Sequence, residues 1–226
     1  AQGDKANGCH SEQSEESQLL RGLLQFSTSL LWRRILVDKI RIEKAVKEII
    51  AAICEDPSRQ GLRDTPTRIA DMYEELFEGI GQDPAAELAV GFEEGHREMV
   101  ILKDIPFYSL CEHHFLPFYG VAHVGYIPNI EGKVVGTSKL GRVVEILARR
   151  PQLQERLTTQ IADTITKAIN PDGVAVVIKA EHLCMTMRGI KKPGSNVITS
   201  ATRGVFRSKQ ATRAEFLSLL SLVEGR

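Results

Sequence analysis

Three things are scarce in this chain, and each scarcity removes a class of protein. Only 4 of 226 residues are cysteine, and of these only Cys111 and Cys184 stand among histidines. That is no disulfide framework for a secreted domain of this size, so a reducing, cytoplasmic compartment is expected. Net charge is missing as well: Lys+Arg 29 balance Asp+Glu 29. No chain-wide field draws the protein to nucleic acid or to an anionic membrane, and any anion site must be local. Long apolar runs are also absent. The patch from Leu19 to Val37 is broken by Arg21, Gln25, Arg33 and Arg34, whereas a membrane span needs ~20 mostly apolar residues. Glu12, Glu15 and Glu16 precede that patch in place of the basic start of a signal peptide.

What is present fits a compact protein: 42% hydrophobic residues is ordinary for a globular core. Residues 1–36 differ from the rest. They form an N-terminal appendage, expected to be disordered or weakly helical over Leu19 to Leu36, with the functional chain starting near its end. Residues 37–97 are expected to be a helical segment. Asp38 can cap a helix with Ile42, Ala45, Val46, Ile49, Ile50 and Ile53 on one face, placing Cys54 in the core. Thr65-Pro66 can start a second helix with Ile69, Met72, Tyr73 and Leu76, followed by a polar loop to about Arg97.

Residues 98–226 carry the strand signals. Met99 to Ile105 is β-rich, and Phe118 to Ile127 alternates up to Pro128, with Val134-Val135 expected as its hairpin return. Ser138 can cap a third helix, and Pro151 can start a fourth carrying Leu153, Leu157, Ile161, Ile165 and Ile169. Val174 to Met187 and Asn196 to Phe206 are expected as strands, and Ala211 to Val223 as a closing helix. Helices, hairpin, helices, strands and helix in that order give an α+β protein with an antiparallel sheet.

Chemistry concentrates at Cys111-Glu112-His113-His114 and His182-Leu183-Cys184. Zinc takes sulfur and nitrogen donors, and three protein ligands leave a fourth tetrahedral position for water or substrate. Cys111 and His114 lie three residues apart, a spacing that one turn can present to one ion. His113 is then displaced and becomes a candidate proton carrier. On a strand, His182, Cys184, Thr186 and Arg188 would share one face. Two buried core cysteines are the bland alternative, and a closed structural site with His182 as fourth ligand is another. His123, inside a strand, is expected to be a satisfied structural histidine.

Ser138-Lys139 opening a helix, with Arg142 one turn on, brings free backbone N–H groups and two cations to one place. With Arg188 and Arg68 they outline a receptor for a polyphosphate. Gln154-Glu155 stands near the start of the fourth helix, where an acid favours the helix dipole; a glutamate can also accept two N–H bonds from a guanine edge.

The segments Ser109-Leu110-Cys111-Glu112-His113-His114-Phe115, Gly136-Thr137-Ser138-Lys139-Leu140, Arg150-Pro151-Gln152-Leu153-Gln154-Glu155-Arg156-Leu157 and His182-Leu183-Cys184-Met185-Thr186-Met187-Arg188-Gly189, in that order, resemble GTP cyclohydrolase I. The similarity runs from about Val37 to the C-terminal helix, departing at Thr137, Gly141 and Asp71. The resemblance implies the tunnelling fold, an antiparallel sheet with helices on one side whose barrel is completed by oligomerisation, in a homodecamer of two pentamers with active sites between subunits. It implies hydrolysis and rearrangement of GTP to 7,8-dihydroneopterin triphosphate and formate. By position it makes Cys111, His114 and Cys184 zinc ligands, and His113 and His182 proton-transfer residues. Gln154 and Glu155 become guanine readers, and Ser138, Lys139, Arg142, Arg188 and Arg68 become triphosphate and ribose contacts.

These residue types suit that reaction. A purine carbon between two nitrogens is a poor electrophile, and zinc lowers the pKa of its water to about 7. Ring opening needs protons delivered to nitrogen, which suits histidine with an unperturbed pKa of about 6.5. Two further classes compete. A related tunnelling-fold enzyme for another pterin or a deazapurine would show three-histidine ligation or a metal-free nucleophilic cysteine. A zinc-stabilised binding module would ligate His182 as well and turn nothing over.

Overall fold

The computed structural model describes residues 37–221. The expected appendage and its weak helix therefore lie outside the described residues. Helix α1 (Lys39–Ala52) starts where Asp38 accepts a hydrogen bond from the Arg41 backbone N–H at 3.0 Å, the side-chain cap that satisfies a first-turn donor. Its apolar face is wider than its buried stripe. Val46 and Ile50 are buried, while Ile49 and Ile53 stand open at 60% and 65% exposure. Cys54, expected in the core, is exposed: the helix has ended at Ala52 and a positive φ of 63° carries Cys54 out of helical phase. Helix α2 (Thr65–Leu76) has proline in its first turn as expected, but its N-cap position is Asp64, which makes no side-chain cap bond.

Five strands form the main sheet in the order β5-β2-β3-β6-β7. These are β2 (Val100–Cys111), β3 (Pro117–Ile127), β5 (Pro151–Gln152), β6 (Gly173–His182) and β7 (Asn196–Gly204). All pairings are antiparallel except the short parallel contact of β5 with β2. Two strand expectations are corrected. Strand β2 continues to Cys111 through Pro106, so the hairpin is β2–β3 and the Cys-His segment is its tip. Beyond the two residues of β5, β2 is an edge strand, where a missing N–H is tolerated. The expected return strand, β4 (Lys133–Val135), pairs instead with β1 (Gly91–Glu93), inside the stretch expected to be loop. The Tyr126 hydroxyl on β3 accepts the Val135 N–H at 3.2 Å.

Helix α3 (Thr137–Ala148) is capped by Gly136, not Ser138, and α4 (Gln154–Ile169) begins after β5, so Pro151 belongs to a strand and not to a helix start. Asn170, left-handed at φ 44°, terminates α4. Strand β6 shows how the layers form. Val174, Val176, Ile178 and Ala180 lie in the main core with Leu140, Val143, Val144 and Leu147 of α3 and Leu157, Ile161 and Ile165 of α4. The alternate residue Ala175 packs on the other face with Phe206 of α6 (Val205–Ser208) and Phe216 of α7 (Gln210–Ser221). Period-2 alternation thus sends His182, in phase with Ala180, toward the α4 side. The architecture is α+β, as expected.

Glycines at two positions make opposite demands. A Cβ on Gly120 would fall 2.0 Å from the Lys179 carbonyl of β6, whereas one on Gly141 would meet nothing within 4 Å. Gly120→Ala is expected to destabilise by about 1–3 kcal/mol through overpacking against backbone. Gly141→Ala is expected to stabilise by about 1 kcal/mol through helix propensity. Thermal denaturation of both variants checks the signs; a Gly120→Ala midpoint equal to the wild type would contradict the close β3–β6 approach.

Candidate active site

The β2–β3 tip is wound tightly on Cys111. Its N–H donates to the Leu116 carbonyl at 2.9 Å, and its carbonyl accepts from the N–H groups of Phe115 at 2.8 Å and His114 at 3.2 Å. Phe115 takes φ 50° to complete the turn. The second half of the cluster arrives differently from expectation. Strand β6 stops at His182, and Leu183–Thr186 is a single helical turn, α5, so His182, Cys184, Thr186 and Arg188 do not share a strand face. That turn still delivers Cys184. The donor atoms of Cys111, His114 and Cys184 all lie within 4.8 Å of one another.

The donor set fits a metal ion. Bond lengths of about 2.0–2.3 Å put the donors of one tetrahedral ion within roughly 4 Å of each other, so little movement is required. Burial and the adjacent Cys111 sulfur push the Cys184 thiol above its ordinary value, so two thiolates here call for a neighbouring cation. Thiolate and imidazole together suit zinc among the divalent ions. His182, the candidate fourth ligand, is not in the group; its Nε2 faces Gln154 Oε1 at 2.7 Å. Arg188 donates from Nη1 toward His114 Nε2 at 3.3 Å, bringing a cation to the cluster by way of α5.

Beside the cluster, the His182 ring stacks on Phe118, its register partner on β3, with centroids 4.7 Å apart and planes 7° from parallel. Burial lowers the His182 pKa from its ordinary value, and the Glu155 carboxylate pulls the other way. Glu155 is exposed at the first turn of α4, while Gln154 is buried at 1% exposure with its amide engaged inside the protein. His113 is exposed next to His114, the two rings 6.3 Å apart and nearly perpendicular. Arg156 forms a bidentate pair with Glu112, tying α4 to the hairpin tip and holding the Glu112 carboxyl below its usual range. The sequence reading missed this clamp; nothing in the spacing of Glu112 and Arg156 announces it.

At the start of α3, Lys139 and Arg142 both reach Glu87 Oε2, at 3.2 Å and 3.4 Å. Glu87, on the short 3-10 helix Pro84–Leu88, is held below the ordinary carboxylate range chiefly by Lys139. It too went unforeseen. Ser138 and Arg142 line a cavity of about 510 Å³ with Tyr108 of β2 and Glu75 of α2. Arg68 on α2 is exposed, and its ion pair among the described residues is with Asp64 at 3.8 Å. His123 fits its structural expectation: its Nδ1 accepts the Asp104 N–H at 3.0 Å.

The sequence profile of the family described as GTP cyclohydrolase I matches residues 42–221. GTP cyclohydrolase 1 of Dehalococcoides mccartyi is 67% identical over 183 residues, covering 81% of this chain and 97% of that protein. Its counterpart from Carboxydothermus hydrogenoformans is 64% identical over 185 residues, covering 82% and 96%. The crystal structure of an archaeosine synthase QueF-like protein in the apo form aligns with a TM-score of 0.39 and 24% identity, covering 47% of this chain and 93% of that one.

If the three donors share one ion, Cys184→Ser is expected to lose metal and activity together. Elemental analysis beside an activity assay checks this, and full metal occupancy in the variant would contradict the ligand set.

Proposed function

The chain belongs to the GTP cyclohydrolase I family, and from that membership and the site geometry we propose that it performs the zinc-dependent conversion of GTP and water to 7,8-dihydroneopterin triphosphate and formate. This is the entry step to tetrahydrofolate and related pterins. The convergence of Cys111, His114 and Cys184 within 4.8 Å, with His182 held aside, carries the proposal. A closed structural site accounts less well for a histidine committed to Gln154. The marks of the other tunnelling-fold enzymes, three-histidine ligation or a cysteine without partners, are absent from this group.

Cys111, His114 and Cys184 hold the zinc, and the bound ion supplies Lewis acidity, the property that brings the pKa of water down to about 7. His113, exposed at the hairpin tip, and His182, at the end of β6, move protons to and from the opening ring. Glu155 accepts the two N–H groups of the guanine edge, with Gln154 at the same end of the site. Ser138, Lys139, Arg142 and Arg188 receive the triphosphate and ribose side, with Arg68 as a further cation. Glu87 keeps Lys139 and Arg142 side by side before the anion arrives.

The working unit is a homodecamer of two pentamers in the cytoplasm, with no nucleic-acid or membrane partner. Support comes from the outer edge of β7, where Ile198 is 66% exposed, and from the open Ile40, Ile49 and Ile53 of α1. Such surface is what neighbouring copies would cover. No helix among the described residues is long and apolar enough to cross a membrane.

Incubating the purified, zinc-loaded protein with GTP should release formate and give a fluorescent pterin after oxidation; no product at full zinc occupancy would overturn the assignment. His113→Ala is expected to keep its metal and lose turnover by about 100-fold or more, the scale of a lost general acid–base group. A variant turning over at the wild-type rate would remove His113 from the mechanism.

A further inference from the structure

Gln154 is buried at 1% exposure at the first position of α4, and every polar atom of its side chain is engaged. Its Nε2, with two hydrogens, lies within hydrogen-bond distance of three acceptors: the Ile178 carbonyl of β6 at 3.1 Å, the Val197 carbonyl of β7 at 3.0 Å and Thr199 Oγ1 at 3.0 Å. Its Oε1 lies 2.7 Å from His182 Nε2. The two ends of a carboxamide look alike in outline, so their orientation has to come from the partners. Here the partners decide it. Backbone carbonyls can only accept, so the NH₂ end must face Ile178 and Val197, and the oxygen must face His182.

The hydroxyls agree with that orientation. Thr158 donates from Oγ1 to the backbone carbonyl of Gln154 at 2.7 Å, which uses its one proton. The 2.7 Å contact between Thr158 Oγ1 and Thr199 Oγ1 must then be donated by Thr199, leaving the Thr199 oxygen as acceptor for the Gln154 amide. The two N–H groups of the amide are thus shared among three acceptors, and none of the three has to donate back to it. Since an amide oxygen cannot donate, the hydrogen between Gln154 and His182 belongs to His182 Nε2. Among the described residues, Nδ1 has no hydrogen-bond partner, and Phe118 fixes the ring plane by stacking.

We propose that Gln154 is a positioning residue that holds His182 in its Nε2–H tautomer and presents Nδ1 as the nitrogen that exchanges protons with substrate, rather than a residue that reads the guanine ring by its side chain. This deepens the cyclohydrolase assignment and rests on it for the role of His182. The hydrogen-bond pattern itself stands without it. Glu155, exposed one residue later, is left to recognise the base.

Neutron diffraction of the zinc-loaded wild-type protein tests the proton placement with no risk of misfolding. Deuterium on His182 Nε2 and two deuterons on the Gln154 nitrogen facing Ile178 and Val197 are expected; a neutral ring with deuterium on Nδ1 alone would overturn the proposal. Kinetics test the role. Gln154→Leu, checked for zinc content and thermal midpoint, is expected to lower kcat about 10–100-fold, the scale seen when an orienting partner is lost, with KM for GTP within about twofold. A raised KM with kcat retained would show direct contact with the base and overturn the positioning role. Absence of GTP turnover in the loaded wild type would sink the cyclohydrolase assignment while leaving the neutron result intact, so the two failures are distinguishable.

Discussion

The register of three strands governs this site. Because Phe118 stands opposite His182 and Leu110 opposite Pro117, the end of β2, the start of β3 and the end of β6 meet at one end of the sheet. Two segments some seventy residues apart in sequence thereby deliver their sulfurs to one place. A slip of one residue between β3 and β6 would reverse every side chain of β6, turning His182 away from α4 and Ala180 away from the core. Gly120 belongs to the same constraint, since only a residue without a Cβ lets its backbone lie against Lys179 and Ala180. Packing and chemistry share one geometric condition.

Charge is handled locally, as a chain without net charge requires. Several cations near the site are met by a carboxylate or a carbonyl: Lys139 and Arg142 by Glu87, Arg156 by Glu112, and Arg150 by the carbonyls of Gly79 and Gln82. Exposed pairs of this kind contribute little to stability, typically well under about 1 kcal/mol. Their use is placement. Glu112 and Arg156 join the hairpin tip to the first turn of α4, so the segment that carries His113 and His114 is fixed relative to Glu155. Glu87 holds two cations on the α3 terminus where helix N–H groups already favour an anion.

Legibility followed the range of the forces involved. Helices were visible because their signals are local: Asp38 as a cap, Pro66 in a first turn, and the four-residue repeat from Leu157 to Ile169 all act within a few residues. Strand partners were harder. The β-rich stretch of sequence stops at Ile105, yet β2 runs on through Pro106 to Cys111, because a proline's cost depends on whether a neighbour needs its N–H, and that neighbour is named only by the sheet. Strand β4 was recognised but given the wrong partner for the same reason. Cys54 was assigned to the core by extending a helical period past the point where the helix stops.

The sequence by itself determined the candidate ligand types, their spacing, the cationic first turn of α3 and the resemblance that carries family membership, all of which are properties of residue identity and order. Tertiary structure alone decided that Cys184 arrives on a helical turn, that Glu112 meets Arg156, and that Gln154 is buried against His182. The last two contacts join residues 44 and 28 positions apart. Local propensity carries no information over such separations, because the pairing is chosen by the fold's competition for hydrogen-bond partners and buried area rather than by either residue.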